Sequence, residues 1–213
     1  MKSIIESLKE YSYPTLPAVL EKISLLDRKK FIPGLYNISA YENKPVQIGH
    51  FQTATKPSVV ALMAALLNFK EGDRVLEIGL GCGYSAALTL SLIGPTGSLI
   101  SFERIRLLCS LGQKNLRAFS STKNYTILYD NGLFAPSKFP DSSFDKIYVT
   151  AGIDSVNHFP LDDFIKLLKP SGLLVFPEED GSLYVYTASQ KKKPFLIEKL
   201  DGFSFVPLKR GKA

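Results

Sequence analysis

The chain has 213 residues, 45% of them apolar, which suits one large domain (1–213) with a substantial core. No apolar run reaches the roughly 18 residues that a membrane helix needs, and Met1–Glu6 opens no long apolar stretch of the secretory type, so a cytoplasmic location without membrane contact is expected. A net charge of +6 raises the question of nucleic acid, but apart from Arg28-Lys29-Lys30, Lys191-Lys192-Lys193 and Lys209-Arg210-Gly211-Lys212 the basic residues are scattered, and solvated surface is the expected reading.

Along the chain, Leu16 to Leu26 carries apolar residues at helical spacing. Phe31-Ile32-Pro33-Gly34 is turn-like. Tyr36 to Thr55 is irregular, rich in polar and aromatic residues, and a loop of that length is seldom idle. Pro57 to Phe69 resumes helical character, with Pro57 suited to a first turn and Val60, Met63, Ala64 and Leu67 on one face. From residue 73 onward strands are expected at 74–79, 98–103, 125–130, 144–150 and 173–177, with helices at 85–93, 104–120 and 161–169 between them. That alternation predicts a Rossmann-like, doubly wound α/β sheet. Leu183–Ala188 and Phe195–Val206 then read as strands with no helix between them, an edge hairpin. Residues 1–56 stand apart as a helical and loop segment ahead of a core at 57–213.

The chemistry begins at Arg74–Tyr84, R-V-L-E-I-G-L-G-C-G-Y. Val75–Ile78 reads as a buried strand, Gly79, Gly81 and Gly83 as a turn, and Ser85 onward as a helix, an arrangement that brings bare backbone close to a nucleotide-like ligand. The dinucleotide pattern G-x-G-x-x-G needs glycine at 84, where Tyr84 stands. Ligands of open α/β sheets bind beyond the carboxyl ends of the strands, so each end counts. The first gives Glu77 and the glycines. The second gives Glu103, 20 residues after Gly83, able to accept hydrogen bonds from ribose hydroxyls. The third gives Asp130, able to accept from an adenine amine, and the fourth gives Thr150-Ala151-Gly152, small enough to leave room for a substrate. Taken singly, Glu103 also reads as a helix cap and Asp130-Asn131-Gly132 as an ordinary turn. Cys82 reads as a packing residue, since no histidine lies near it in sequence, and His158 as solvent-facing. Cys82 and Cys109 are not at metal-ligand spacing. Together the set suits an adenosyl ligand held without a pyrophosphate, and the glycine loop carries no lysine.

This order and spacing resembles the S-adenosylmethionine-dependent methyltransferases, and within them the protein-L-isoaspartate O-methyltransferase family, over roughly residues 15–210. The most specific part is Ala40-Tyr41-Glu42-Asn43-Lys44-Pro45-Val46-Gln47-Ile48-Gly49-His50-Phe51-Gln52-Thr53-Ala54-Thr55-Lys56-Pro57, against a family pattern A-Y-x-D-x-P-x-x-I-G-x-G-Q-T-I-S-x-P. Phe205-Val206-Pro207-Leu208 resembles the family's C-terminal strand. The resemblance implies a seven-stranded sheet, mostly parallel with an antiparallel C-terminal hairpin. It implies S-adenosylmethionine as cofactor, with Glu103 on the ribose, Asp130 near the adenine, and Glu77, Gly79, Gly81, Gly83, Arg104, Asn131 and Gln52 completing that site. It implies isoaspartyl peptides and proteins as the acceptors; a related methyltransferase with another acceptor such as tRNA adenine, or a cofactor-binding module with little transfer activity, is the alternative reading. A monomer is expected, and a nucleic-acid partner is not. Thr53 and Thr55 would orient the acceptor carboxylate, and Ile48, His50, Phe51, Thr150 and Ala151 would form the substrate side. A carboxylate is already ionised at neutral pH, so no general base is required. Thr55 also reads as a helix cap ahead of Pro57. The chain departs from the pattern at Phe51 (glycine in the family), Thr55 (serine), Tyr129-Asp130-Asn131 (Gly-Asp-Gly) and Glu178–Ser182, where a Gly- and Gln-containing segment is expected. At a positive φ, Phe51 would carry about 1 kcal/mol of strain or more and would fill space where a peptide lies.

Overall fold

The computed structural model describes residues 1–120, 124–189 and 193–213. Its centre is β3 (Arg74–Ile78), whose Val75, Leu76, Glu77 and Ile78 are all buried. Such a run fits a parallel strand covered on both faces. β4 (Ser98–Glu103) and β5 (Tyr125–Tyr129) lie to one side of it, and β6 (Phe144–Val149) and β7 (Leu168–Pro177) to the other. β8 (Asp180–Ala188) and β9 (Pro194–Ser204) complete the order β5-β4-β3-β6-β7-β8-β9. The first five strands are parallel; β8 runs antiparallel to β7, and β9 to β8. The expected α/β class, the strand count and the C-terminal hairpin are thus present. The strand order reverses between β3 and β6, the place where doubly wound sheets open a ligand crevice.

Alternate residues of β3 serve opposite faces. Val75 packs with α3 (Pro57–Leu67), α4 (Tyr84–Ile93) and α5 (Arg106–Phe119), while Leu76 and Ile78 pack with Phe144, Phe164 and Phe176 on the side of α6 (Leu161–Leu167). α5 buries a narrow stripe, Leu108, Gly112 and Leu116, spaced by four residues. Gly112 is where this helix meets the glycine turn: a Cβ there would come within 2.5 Å of Leu80 and 3.0 Å of the Gly81 carbonyl.

The N-terminal third holds more structure than its sequence suggests. α1 (Lys2–Leu8) buries only Ile4 and Leu8, too short a stripe to declare itself by periodicity. α2 (Leu16–Ser24) occupies the helix expected at 16–26. Inside the stretch read as a loop, β1 (Val46–Gly49) and β2 (Gln52–Ala54) form a hairpin with His50 and Phe51 as its two-residue turn. Both turn residues are left-handed, at φ 54° and 57°, as a type I′ turn demands. Asn-Gly is the usual sequence for that turn, and His-Phe conceals it.

β7 begins at Leu168, five residues before the expected position, because Leu168 already pairs with Phe144. β9 ends at Ser204, so the strand expected to reach Val206 stops earlier. Phe205, Val206 and Leu208 instead bond the backbone of Glu179 and Gly152, and Ala213 bonds that of Arg104 and Arg106. Residues 205–213 thereby cross the carboxyl ends of the parallel strands. No helix among the described residues is long and apolar enough to cross a membrane. Lys191 and Lys192 of the expected basic cluster lie outside the described residues.

Because Leu80 and the Gly81 carbonyl already crowd the Gly112 position, Gly112→Ala is expected to destabilise by roughly 1–3 kcal/mol despite alanine's better helix propensity. The measurement is a urea unfolding curve: the midpoint falls while the slope stays constant.

Candidate functional site

A cleft with about 820 Å³ of atom-free space opens over the ends of β3, β4 and β6. Its floor is the turn Gly79–Cys82. Gly79 and Leu80 both donate to the Phe102 carbonyl, at 2.8 and 3.1 Å, which ties the turn to the end of β4. Gly79, Gly81 and Gly83 all have positive φ (99°, 54° and 84°). Gly79 also excludes a side chain, since a Cβ would lie 2.3 Å from the Thr150 hydroxyl. Gly79 and Gly81 line the cleft; Gly83 instead turns toward α5, where a Cβ would be 3.3 Å from the Gly112 carbonyl. Its part is packing at the start of α4 rather than contact with a ligand.

Glu103 lines the cleft from the end of β4, 5% exposed. One oxygen accepts from the Gly81 amide at 2.9 Å and the other from the Ile105 amide at 2.8 Å. It therefore holds the residue ahead of α5, though it does not cap the helix, and braces the glycine turn, with lone pairs left for a ligand. Burial raises its pKa, against those amides. Arg104 beside it lines the cleft and donates from Nε to the Gly211 carbonyl at 2.8 Å.

Glu77 lies beneath the floor and does not line the cleft, a correction to its expected ligand contact. It is fully buried and accepts from the hydroxyls of Ser85 and Ser101, both at 2.6 Å. Odd and even positions of β3 face opposite sides, and Glu77 faces α4. Only through Ser85, which does line the cleft, can it act on a ligand. Burial pushes its pKa from the ordinary 4.5 up to about 7, with the Ser101 and Ser85 hydroxyls opposing.

Asp130 also departs from expectation. It lies outside the cleft lining, with Lys138 at 2.9 Å and Lys212 at 3.3 Å. The Lys138 contact leads in holding its carboxyl down to about 2. Two ammonium groups on the outer side thus occupy the carboxylate expected near an adenine. Asn131 lines the cleft in its place, its side-chain oxygen accepting from the Leu133 amide at 3.1 Å.

The hairpin forms the facing wall. Ile48, Gln52, Thr53, Ala54 and Thr55 line the cleft. His50 and Phe51 do not: they form the hairpin tip, and Phe51 is 96% exposed. Its ring therefore fills no space inside the cleft, although the positive φ carries the anticipated strain. Thr55 is not the helix cap. Lys56 holds that position without a side-chain bond, and Asn43 accepts from the Ser58 amide at 3.0 Å instead. The Thr53 and Thr55 hydroxyls consequently have no hydrogen-bond partner among the described residues. Thr150 and Ala151 line the cleft, but the Thr150 hydroxyl is spent on the Gly79 carbonyl at 2.6 Å and the Ile78 carbonyl at 3.1 Å.

Arg28 was expected in a solvated basic cluster and is 3% exposed. The reason is five backbone carbonyls at 3.1–3.2 Å. Lys29 and Lys30 remain exposed. Cys82 is buried, and desolvation pushes its thiol up to about 11, as suits a packing residue. His158 is exposed and contacts Asp154. Sequence reasoning missed Val206–Lys209 as part of the cleft wall. Their F-V-P-L neighbourhood suggested a strand, and only the crossing of the tail over the strand ends brings them to the site.

Two expectations follow from these placements. Between pH 4.5 and about 7 the folded chain keeps a proton on Glu77 that the unfolded chain releases, so stability falls as pH rises through that window. In Glu77→Gln this slope shrinks, with up to roughly 3 kcal/mol removed from the difference between pH 4.5 and 8; urea titrations across that range read it. Phe51→Gly relieves the hairpin tip and is expected to stabilise by about 1 kcal/mol without changing ligand affinity, measured by thermal unfolding and calorimetry.

The chain matches the family protein-L-isoaspartate(D-aspartate) O-methyltransferase over residues 1–213. A protein-L-isoaspartate O-methyltransferase of Methanothrix thermoacetophila is 35% identical over 205 residues, covering 96% of this chain and 92% of that protein. Another, from Ignicoccus hospitalis, is 34% identical over 209 residues, covering 97% and 96%. A Plasmodium falciparum chain described as the same kind of enzyme, crystallised with S-adenosyl-L-homocysteine, superposes with TM-score 0.74 at 24% identity, over 98% of this chain and 97% of that one. The glycine turn, the hairpin wall and the seven-stranded sheet are therefore those of a chain that belongs to the protein-L-isoaspartate(D-aspartate) O-methyltransferase family.

Proposed function

We propose that this chain transfers a methyl group from S-adenosylmethionine to the free α-carboxylate of isoaspartyl residues in peptides and proteins, the first step in repair of that damage. Family membership supports the reaction, and the chemistry of the cleft suits the cofactor. No lysine stands in the glycine turn to neutralise a phosphate, and the buried Glu103 carboxylate would repel one. The same carboxylate has acceptor capacity for ribose hydroxyls, beside the apolar side chains of Phe102, Ile105 and Leu108. Glu103, Arg104, Asn131, Gln52 and the backbone of Gly79 and Gly81 would hold the cofactor, with Glu77 and Gly83 supporting from beneath. When bound, S-adenosylmethionine supplies a methyl group whose bond to sulfur breaks as a bond to the carboxylate oxygen forms, leaving a neutral thioether.

The chain's own residues contribute position and desolvation. Thr53 and Thr55 donate to the acceptor carboxylate, which is ionised at neutral pH and needs no base. Ile48, Ala54 and Val206 exclude water around it. Holding the two reactants in line inside one cleft supplies most of the acceleration. In this reading residues 1–56 form the substrate side of a single domain and 57–213 its cofactor core. The observation that carries the reading is the pair of threonine hydroxyls, unpartnered among the described residues, in the same cleft as Glu103 and the glycine turn.

The test is transfer of labelled methyl to an isoaspartyl peptide, with the aspartyl peptide of the same sequence as control. Label in the isoaspartyl peptide alone supports the reading; equal label in both, or none, overturns it. Thr55→Val is expected to lower kcat/KM by about tenfold or more while S-adenosylhomocysteine affinity stays within roughly threefold by calorimetry.

A further inference from the structure

Arg28 is a buried cation without an anion. It sits in a 3₁₀ turn (Arg28–Lys30), and among the described residues no carboxylate pairs with it. Its Nη1 donates to the carbonyls of Ala40 and Glu42, and its Nη2 to those of Lys44, Ala54 and Thr55. Its Nε has no partner, and its guanidinium carbon lies 5.6 Å from the centroid of the Tyr84 ring, on the cleft wall. A buried charge is costly, and here the carbonyl dipoles and the ring offset that cost where a carboxylate usually would.

Two of the five carbonyls belong to the peptide groups joining Ala54 to Thr55 and Thr55 to Lys56. In a trans peptide the C=O and the next N–H point in opposite directions, so the N–H groups of Thr55 and Lys56 point away from the guanidinium. Neither has an acceptor among the described residues. Thr55 lines the cleft beside Thr53, and α3 starts one residue beyond Lys56, adding the positive end of its dipole. A cation bound at the carbonyl end of a peptide polarises its N–H end.

We infer that Arg28 is a positioning residue for the acceptor: it aims and polarises the Thr55 and Lys56 amides so that they, with the threonine hydroxyls, form a clamp for a carboxylate, and it makes the site prefer an anionic acceptor over a neutral one. This rests on the carboxylate-acceptor reading above and deepens it. The neutral methyl ester that the reaction forms loses the clamp's attraction, so the same device favours release of product over substrate. Lysine is no equivalent, because a single ammonium has three donors and cannot span carbonyls from residues 40 to 55.

The experiment uses the full ¹⁵N-labelled chain loaded with S-adenosylhomocysteine. It is titrated with an isoaspartyl peptide, with the same peptide bearing an α-carboxamide, and with propionate as a bare carboxylate probe. The acid peptide and propionate are expected to shift the Thr55 and Lys56 amide resonances, and the carboxamide to leave them in place. In Arg28→Lys, with S-adenosylhomocysteine affinity held within roughly threefold, the acid-over-amide preference is expected to collapse and kcat/KM to fall about 10–100-fold. A merely structural role would weaken acid and amide alike. A folded Arg28→Lys chain that keeps its preference, or shifts by propionate that bypass residues 55 and 56, overturns the inference. Should Arg28→Lys fail to fold, the wild-type titrations decide it alone. Should the wild type leave the isoaspartyl peptide unmethylated, the substrate reading falls by itself, and the propionate titration still decides on the clamp.

Discussion

The hairpin wall of the cleft hangs on a single guanidinium. Arg28 gathers carbonyls from Ala40, Glu42, Lys44, Ala54 and Thr55, groups spread over sixteen residues that share no helix and only a short hairpin. A segment with that little regular structure cannot satisfy its own backbone, and buried carbonyls without partners are costly. One rigid fork of donors solves the problem at five places, and it fixes Thr53 and Thr55 over the cleft as a consequence. Asn43 completes the arrangement by capping α3 from a distance, which leaves the Thr55 hydroxyl without that duty.

The opposite wall is fixed by crowding. Gly79 sits against the Thr150 hydroxyl, Gly83 against the Gly112 carbonyl, and Gly112 against Leu80. No side chain fits at these three contacts without displacing backbone or a buried neighbour, so the floor of the cleft is a stack of close approaches between β3, β6 and α5. Glu103 locks the stack by accepting from both the turn and the start of α5. Glu77 locks it from below through Ser85 and Ser101, at the expense of a carboxyl held in a fully desolvated place. The two acids thus divide the work, one lining the cleft and bonded to backbone amides, the other under it and bonded to hydroxyls.

The sheet half of the molecule was legible in the sequence because local chemistry and global fold agree there. Apolar runs, glycine punctuation and amphipathic helices each point the same way. The strands at 74–79, 98–103 and 144–150 lie within a residue of the observed β3, β4 and β6. Reading failed at three places. His50-Phe51 adopts a turn that its residue types disfavour; Arg28 reads as surface charge; Asp130 reads as a strand-end acid but is claimed by Lys138 and by Lys212, the latter far along the chain. Arg28 and the Lys212 partner of Asp130 depend on contacts distant in sequence, and the hairpin turn is carried by the pairing of β1 with β2 rather than by its own two residues.

That contrast bears on how the two halves tolerate change. The floor of the cleft is built from backbone that must approach backbone, so its requirements reduce to glycine at fixed positions and are visible in one strand-turn-helix segment. The hairpin wall is built from a hub and the carbonyls it collects, and a carbonyl is offered by every residue type. The exposed side chains of residues 40–55 can therefore vary while the wall keeps its shape, provided Arg28, Asn43 and the buried Ala40, Val46, Ile48 and Ala54 stay. Phe51 illustrates the latitude: it breaks the turn's preference, stands in solvent, and leaves the cleft lining untouched. A wall held by its backbone can carry departures at its tip without losing its shape.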